Sequence, residues 1–471
     1  MSLKIALPKG KLLTETAALL DRAGWGLGGY QDKARLYRLK SQRFPKLSAK
    51  IFHEKDIPIQ VAVGNYDIGI CGRDWVEELM SKYPSSAIVC LESLGYGDGA
   101  LFAATAADSG LGNLEALRAS SGNIRIASEY PNLAESLATQ LRLRWFSIYP
   151  LWGSAEAYPP DSAELVLLPR KNEDELSGCG LMPVARLLDF RACLIANRYS
   201  LKSKDMAEVI ASISDSFSPV GEQPFAAGIS SAAGAATPGA APRMAADAVK
   251  LALPDGHQQP HVRKILDAAG VSISDYPSET GNRRPQSSLK GVAIKVIRPQ
   301  DMPLQVANGN FDLAVTGRDW LTEHRYQFPS SPAVELVDLK YGRVRIVAVV
   351  SRDVPAEDTA ALRQFYRQNS VRVASEYVNI ADHYARLNHL GNYRVIPTWG
   401  ATEAFLPEDA DLLIENTETG GTIARHNLKI IETLFESTAC LIGNKMSVLG
   451  AGKSNRIKSI IRLFEKAVEG G

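Results

Sequence analysis

Cysteine is scarce in this chain: five residues among 471, at positions 71, 90, 179, 193 and 440, with no Cys-x-x-Cys pair. That spacing offers neither a zinc-finger pattern nor a disulfide framework. Long apolar runs are missing as well. None approaches the roughly 18 residues that span a bilayer, and the apolar run in the opening MSLKIALPKG is too short for a signal peptide. Charge of one sign is not in excess either, since 53 Lys and Arg against 52 Asp and Glu leave +1. The chain therefore has no electrostatic reason to bind nucleic acid or an acidic membrane. A reduced, soluble, cytoplasmic protein is the expectation. What is present is ordinary globular material, 45% hydrophobic and 22% charged, in a chain too long for one compact domain.

The chain repeats itself. DIPIQVAVGNYDIGICGRDW from Asp56 returns as DMPLQVANGNFDLAVTGRDW from Asp301. RIASEYPNLAE from Arg125 returns as RVASEYVNIAD from Arg372, WGSAEAYPPDSAELV from Trp152 as WGATEAFLPEDADLL from Trp399, and ACLIANR from Ala192 as ACLIGNK from Ala439. Even the openings match, KIALPKGKL from Lys4 against KLALPDGHQ from Lys250. Order and spacing persist over a period far longer than that of a solenoid repeat, so a whole unit is duplicated. The expected organisation is one copy over 1–217, an Ala/Gly/Ser/Pro linker over 218–247 and a second copy over 248–471. Within each copy strand-like runs such as KIALP, YDIGICG and DADLLIEN alternate with helical patterns. The fold class is α/β, with parallel or mixed sheets flanked by helices and ligands beyond the strand ends.

One stretch is said only once: ENTETGGTIARHNL, Glu415 to Leu428. It follows the strand pattern ADLLI, and a helix is expected after it over ARHNLKIIETLF. Gly420 and Gly421 let a ligand approach the backbone closely, and Thr417, Thr419 and Thr422 supply hydroxyls, together an anion cradle. Glu415 and Glu418 can accept hydrogen bonds from sugar hydroxyls. On composition alone the stretch reads equally as a turn rich in capping residues.

The run ADLLIENTETGGTIARHNL, with LALPDGH, GNFDLAVTGRDW, RVASEYVNIA and ESTACLIGN in that order, resembles the ATP phosphoribosyltransferases of histidine biosynthesis. The resemblance covers both copies. It implies two tandem two-lobed units like the type II periplasmic-binding fold, with lobe crossings near LKYGRVRI and LFESTACLIGN. It implies a pentosyl transfer in which N1 of ATP displaces pyrophosphate from C1 of phosphoribosyl pyrophosphate, with Mg²⁺ as cofactor and no metal-ligating cluster of the protein's own. The same resemblance implies roles for Arg298, for Arg283 or Arg284, and for Arg343 and Arg345 around the leaving group. Asp319, Thr316 and Gly317 fall where the family contacts the nucleotide. The long form's C-terminal regulatory region has no counterpart after CLIGNK, which leaves a homo-oligomer or a separate regulatory subunit open.

The first copy has lost this chemistry. Leu168 stands for Glu415, Asn172 for Thr419, and Glu173-Asp174-Glu175 for Gly420-Gly421-Thr422. His53 stands for Arg298, and Asp98 and Ala100 for Arg343 and Arg345. Three consecutive acids repel a phosphate. In the other direction the first copy keeps Lys9 and Lys11 where the second has Asp255 and His257. The expectation is one site per chain, on the second copy, with Lys9, Lys11 or Arg35 as candidate contributions from the first. A non-catalytic sensor of nucleotide or phosphoribosyl pyrophosphate, or a regulatory subunit, is the alternative that Asp255 favours.

Overall fold

A computed structural model describes residues 3–31, 37–217, 230–231, 245, 247–278, 281–449 and 453–469. Arg35 and most of the expected linker, 218–247, lie outside the described residues. The chain divides into two compact units. The first comprises Met1–Pro150, Ala163–Ala241 and Thr398–Phe405; the second comprises Leu151–Ser162, Pro242–Pro397 and Leu406–Gly471. Each unit thus contains a short segment that the sequence assigns to the other copy.

The second unit holds two five-stranded sheets. In the first, Val292–Ile297, Val249–Pro254 and Leu313–Gly317 run parallel, followed by Ala439–Asn444, antiparallel to both of its neighbours, and Ala333–Asp338 at the edge. Leu251, Leu253, Leu313, Val315 and Leu441 are fully buried, as apolar strands covered on both faces must be. In the second sheet the order is Tyr393–Pro397, Val371–Ser375, Leu412–Thr417, Val344–Ser351 and Leu428–Ser437. The chain enters this lobe between Asp338 and Val344 and leaves it at Thr438, as the family resemblance implies. The last helix, Ser454–Glu469, buries Ile457, Ile460, Phe464 and Ala467 at helical spacing on the first sheet's core.

The first unit repeats the plan with two six-stranded sheets. Both halves are therefore α/β, each a two-lobed unit. One expectation fails. The segment after the Glu415 loop is not a long helix; a five-residue helix, Gly421–Arg425, gives way to the ten-residue strand Leu428–Ser437. Asn427, at φ 57°, turns the chain, and Ile430 and Ile431 with the aromatic Phe435 suit a pleated, half-buried surface better than a helix.

Segment 151–162 is tied into the second unit by a buried charge. Lys295 has no exposure. Its Nζ lies 3.0 Å from Asp161 Oδ2 and donates to the Tyr158 carbonyl at 3.3 Å. Burial pushes this amine down to about 8, against the opposing pull of Asp161. Arg284 donates to the carbonyls of Pro159 and Ala157. The reciprocal segment of the first unit inserts Phe405, whose ring meets Phe52 edge-on at 5.3 Å.

Asp161→Ala strips Lys295 of its counter-charge and is expected to destabilise the chain by about 3 kcal/mol in denaturant unfolding, whereas replacing both ions, Asp161→Ala with Lys295→Met, costs much less. A double substitution that loses as much as or more than Asp161→Ala alone would contradict a buried ion pair at this position.

Candidate active site

The loop that follows strand Leu412–Thr417 is organised by its own threonines. Gly420 N donates to Thr417 Oγ1 at 2.9 Å, and Gly421 N to Thr419 Oγ1 at 3.4 Å. Gly420 sits at φ 78°, where a side chain would be strained. Thr417 is buried, while Glu418, Thr419 and Gly421 are exposed. Thr422 accepts from Arg425 at 3.0 Å. The hydroxyls of Thr417 and Thr419 thus shape the loop, and the exposed backbone from Thr419 to Gly421 is the part open to a ligand. Glu415 is half-buried, with its Oε1 accepting from Asn416 N at 3.0 Å.

The arginines divide. Arg283 and Arg298 come together on one carboxylate: Arg283 NH1 donates to Asp255 Oδ2 at 2.7 Å, and Arg298 NH1 lies 3.6 Å from the same oxygen. Burial alone would raise the Asp255 carboxyl, but the hydrogen bond and charge of Arg283, with Arg298 beside it, hold it below the usual range. Arg345 lies opposite Thr417 in the sheet register, next to the loop. Arg343 instead stands at the surface, paired with Glu436. Arg284 serves the 157–159 backbone.

Asp319 is buried at the start of helix Arg318–Gln327. Its carboxylate accepts from Tyr377 Oη at 2.6 Å and from Ser437 Oγ at 3.0 Å. Burial raises its pKa, and these two hydrogen bonds oppose the rise. Tyr377 also accepts from Asn416 Nδ2 at 3.0 Å. A chain Asp319–Tyr377–Asn416 therefore links the helix of one lobe to the strand bearing Glu415 in the other. Gly317 is obligatory here, because a Cβ would lie 2.0 Å from Asp319 Oδ1. Thr316 is fully buried and donates to the Pro299 carbonyl at 2.8 Å. Tyr377, Asn416 and Ser437 were not singled out from the sequence; the repeated SEY motif was the signal that could have found the tyrosine. Trp320 packs against Tyr377 with ring centroids 4.4 Å apart, and Trp152 against Trp320 at 5.6 Å.

The first unit keeps the lobe link and lacks the rest. Asp74 accepts from Tyr130 Oη at 2.5 Å, just as Asp319 does from Tyr377. The counterpart of the Glu415 loop is a capped helical turn, Glu173–Ser177, with Asn172 accepting from Glu175 N at 3.1 Å. Its Glu173, Asp174 and Glu175 occupy the first turn, and Leu168 is buried. Lys9 Nζ donates to Tyr37 Oη at 3.3 Å and lies over its ring. His53, standing where the second half has Arg298, is pushed down to about 4 by burial first and by Lys55 and Lys9 second. It is therefore neutral at pH 7 and offers no charge to a phosphate. An NMR titration of His53 should show a midpoint near 4, because burial penalises the protonated form; a midpoint at or above the ordinary histidine value would contradict this.

The family model of ATP phosphoribosyltransferase (HisG) matches this chain twice, over residues 53–217 and 298–466. The ATP phosphoribosyltransferase of Chlorobaculum parvum is 32% identical over 225 residues, 47% of this chain and 71% of that protein. The enzymes of Chlorobium luteolum, at 32% identity, and Thermodesulfovibrio yellowstonii, at 29%, match similar shares. Among solved structures, an ATP phosphoribosyl transferase (HisG:HisZ) complex from Thermotoga maritima is 21% identical over 47% of this chain and 100% of that one, with a TM-score of 0.40. An alkanesulfonate-binding protein from Xanthomonas axonopodis is 13% identical over 46% of this chain and 72% of its own, with a TM-score of 0.30. On the doubled family match and the identity to its relatives, the chain belongs to the ATP phosphoribosyltransferase family, which it enters twice.

Proposed function

We propose that the second half carries one ATP phosphoribosyltransferase site, which joins N1 of ATP to C1 of phosphoribosyl pyrophosphate and releases pyrophosphate. The observation that carries this reading is the contrast between the two loops. Thr419 and Gly421 are exposed, with Gly420 half-buried between them and no acidic side chain over Thr419–Thr422, whereas the aligned turn of the first half presents Glu173, Asp174 and Glu175. The 5-phosphate of the sugar rests on the first of these and is repelled by the second. Glu415 and Glu418 accept from ribose hydroxyls. The displacement needs no covalent nucleophile, and positioning with charge stabilisation supplies the acceleration. Arg283 and Arg298 face the departing pyrophosphate, and Arg345 stands beside the loop. Asp319 acts through the Tyr377–Asn416 chain, holding the nucleotide-side helix against the sugar-side strand.

Among the described residues no group of three or more His, Cys, Asp or Glu is placed to hold a metal ion. Mg²⁺ carried mainly by diphosphate oxygens needs only one or two protein carboxylates, which Glu415 and Glu418 would supply. The ion would neutralise charge on the leaving pyrophosphate. Among the described residues no helix is long and apolar enough to cross a membrane. A homo-oligomer or a separate regulatory subunit, and a contribution of Lys9, Lys11 or Arg35 to turnover, belong to this proposal. The second reading, a sensor without turnover, is favoured by Asp255, which engages both arginines where the first half has Lys9.

Purified chain with ATP, phosphoribosyl pyrophosphate and Mg²⁺ is expected to form phosphoribosyl-ATP, followed by absorbance. Gly421→Asp, which copies Asp174 of the first half at an exposed position with room for a side chain, should lower kcat/KM by on the order of 10²-fold. Asp174→Gly should leave turnover unchanged. No product from the unaltered chain, with or without a partner subunit, would favour the sensor; full activity of Gly421→Asp would move the site elsewhere.

A further inference from the structure

Resting on that reading, we infer that Glu156, a residue of the first half, is a positioning residue of the second half's site. Segment Leu151–Ser162 belongs to the second unit and is anchored there at both ends. Trp152 N donates to the two oxygens of Asp301 at 3.0 and 3.2 Å. At the other end Asp161 meets Lys295 at 3.0 Å. Between these anchors Glu156 Oε1 accepts from Arg283 Nε at 3.1 Å. Arg283 is gripped on its other side by Asp255, which in turn lies against Arg298.

The result is an alternating row, Glu156, Arg283, Asp255, Arg298. Side-chain exposures of 22% for Arg283 and 18% for each carboxylate keep its hydrogen bonds partly shielded from water. A guanidinium carries five N–H donors in a rigid plane. With Nε committed to Glu156 and one NH1 donor to Asp255, Arg283 cannot rotate, and its remaining donors point in a fixed direction. Gly153 belongs to the same arrangement, since a Cβ there would lie 3.0 Å from Arg298 Nε. The segment thus sets the place of both guanidiniums expected to meet the pyrophosphate.

The first unit shows what happens without this row. Val296 N donates to the Arg283 carbonyl at 2.9 Å, and Ile51 N donates to the Tyr37 carbonyl at 2.8 Å. Tyr37 therefore stands where Arg283 does, and its partner is Lys9 in place of Asp255. The first unit contains the reciprocal segment, with Glu403 aligned to Glu156, but Tyr37 gives that carboxylate no guanidinium to hold. Among the described residues the acid–arginine row is found in the unit that carries the Thr419 loop.

Binding of inorganic pyrophosphate by the full chain, measured by calorimetry, tests this apart from turnover. If Glu156 orients Arg283, Glu156→Gln weakens pyrophosphate binding about tenfold, the worth of one charge-assisted hydrogen bond. It also raises the KM for phosphoribosyl pyrophosphate more than it lowers kcat. Glu156→Asp, one methylene short, should fall between, and Glu156→Gln should add little on an Arg283→Lys background. A mere bystander carboxylate gives the opposite sign, since removing its negative charge strengthens pyrophosphate binding. Unchanged or tighter binding therefore overturns the inference, as does a chain that binds no pyrophosphate. If the chain binds pyrophosphate but makes no phosphoribosyl-ATP, the proposed reaction falls, while the Glu156–Arg283 link is still decided by the affinities.

Discussion

A charged amine with no access to water organises the second unit. Lys295 lies in the parallel strand Val292–Ile297, and the carboxylate that answers it, Asp161, comes from the other half of the chain. Leaving such a charge alone in a low-dielectric interior is costly, and either partner of the pair is left so if the other is removed. The ion pair therefore ties the segment that brings the acid, Leu151–Ser162, to the second unit. Trp152, Glu156 and Tyr158 arrive with that acid. Neither compact unit is made from one half alone.

The two halves share a backbone plan and differ in charge. Both keep the buried Asp–Tyr link, Asp74 with Tyr130 and Asp319 with Tyr377. Both also keep a glutamate that caps the helix packed against it: Glu78 accepts from Asn132 N and Leu133 N, and Glu323 from Asn379 N and Ile380 N. These contacts hold the lobes and are indifferent to substrate. At the positions proposed to face phosphate the halves part. Arg298 becomes a neutral His53, Arg283 becomes Tyr37, and the glycines of the Thr419 loop become acids. The shared contacts hold each unit's lobes, and the differences fall on the residues assigned to the proposed reaction.

Much of this was legible in the sequence because repetition exposes it. The doubled motifs exposed the tandem units, the family resemblance implied the lobes and the crossings near LKYGRVRI and LFESTACLIGN, and the unrepeated ENTETGG marked the loop. Periodicity misled after Arg425, where short apolar spacing looked helical and sheet pairing with Val344–Ser351 prevailed. The exchange of segments was invisible, because nothing local to WGSAEAYPP says which sheet it will join. Asp255 was seen as a missing lysine; only the structure shows it spanning two arginines. The family resemblance groups Arg343 with Arg345, yet Arg343 precedes strand Val344–Ser351 and pairs with Glu436 at the surface, whereas Arg345 lies within the strand opposite Thr417.

The central claim is that one half works and the other supports it. Calorimetric titration of the full chain with phosphoribosyl pyrophosphate counts the sites directly. One equivalent bound per chain, lost in Gly421→Asp, is the predicted result; two equivalents, or one that survives that substitution, would contradict the account.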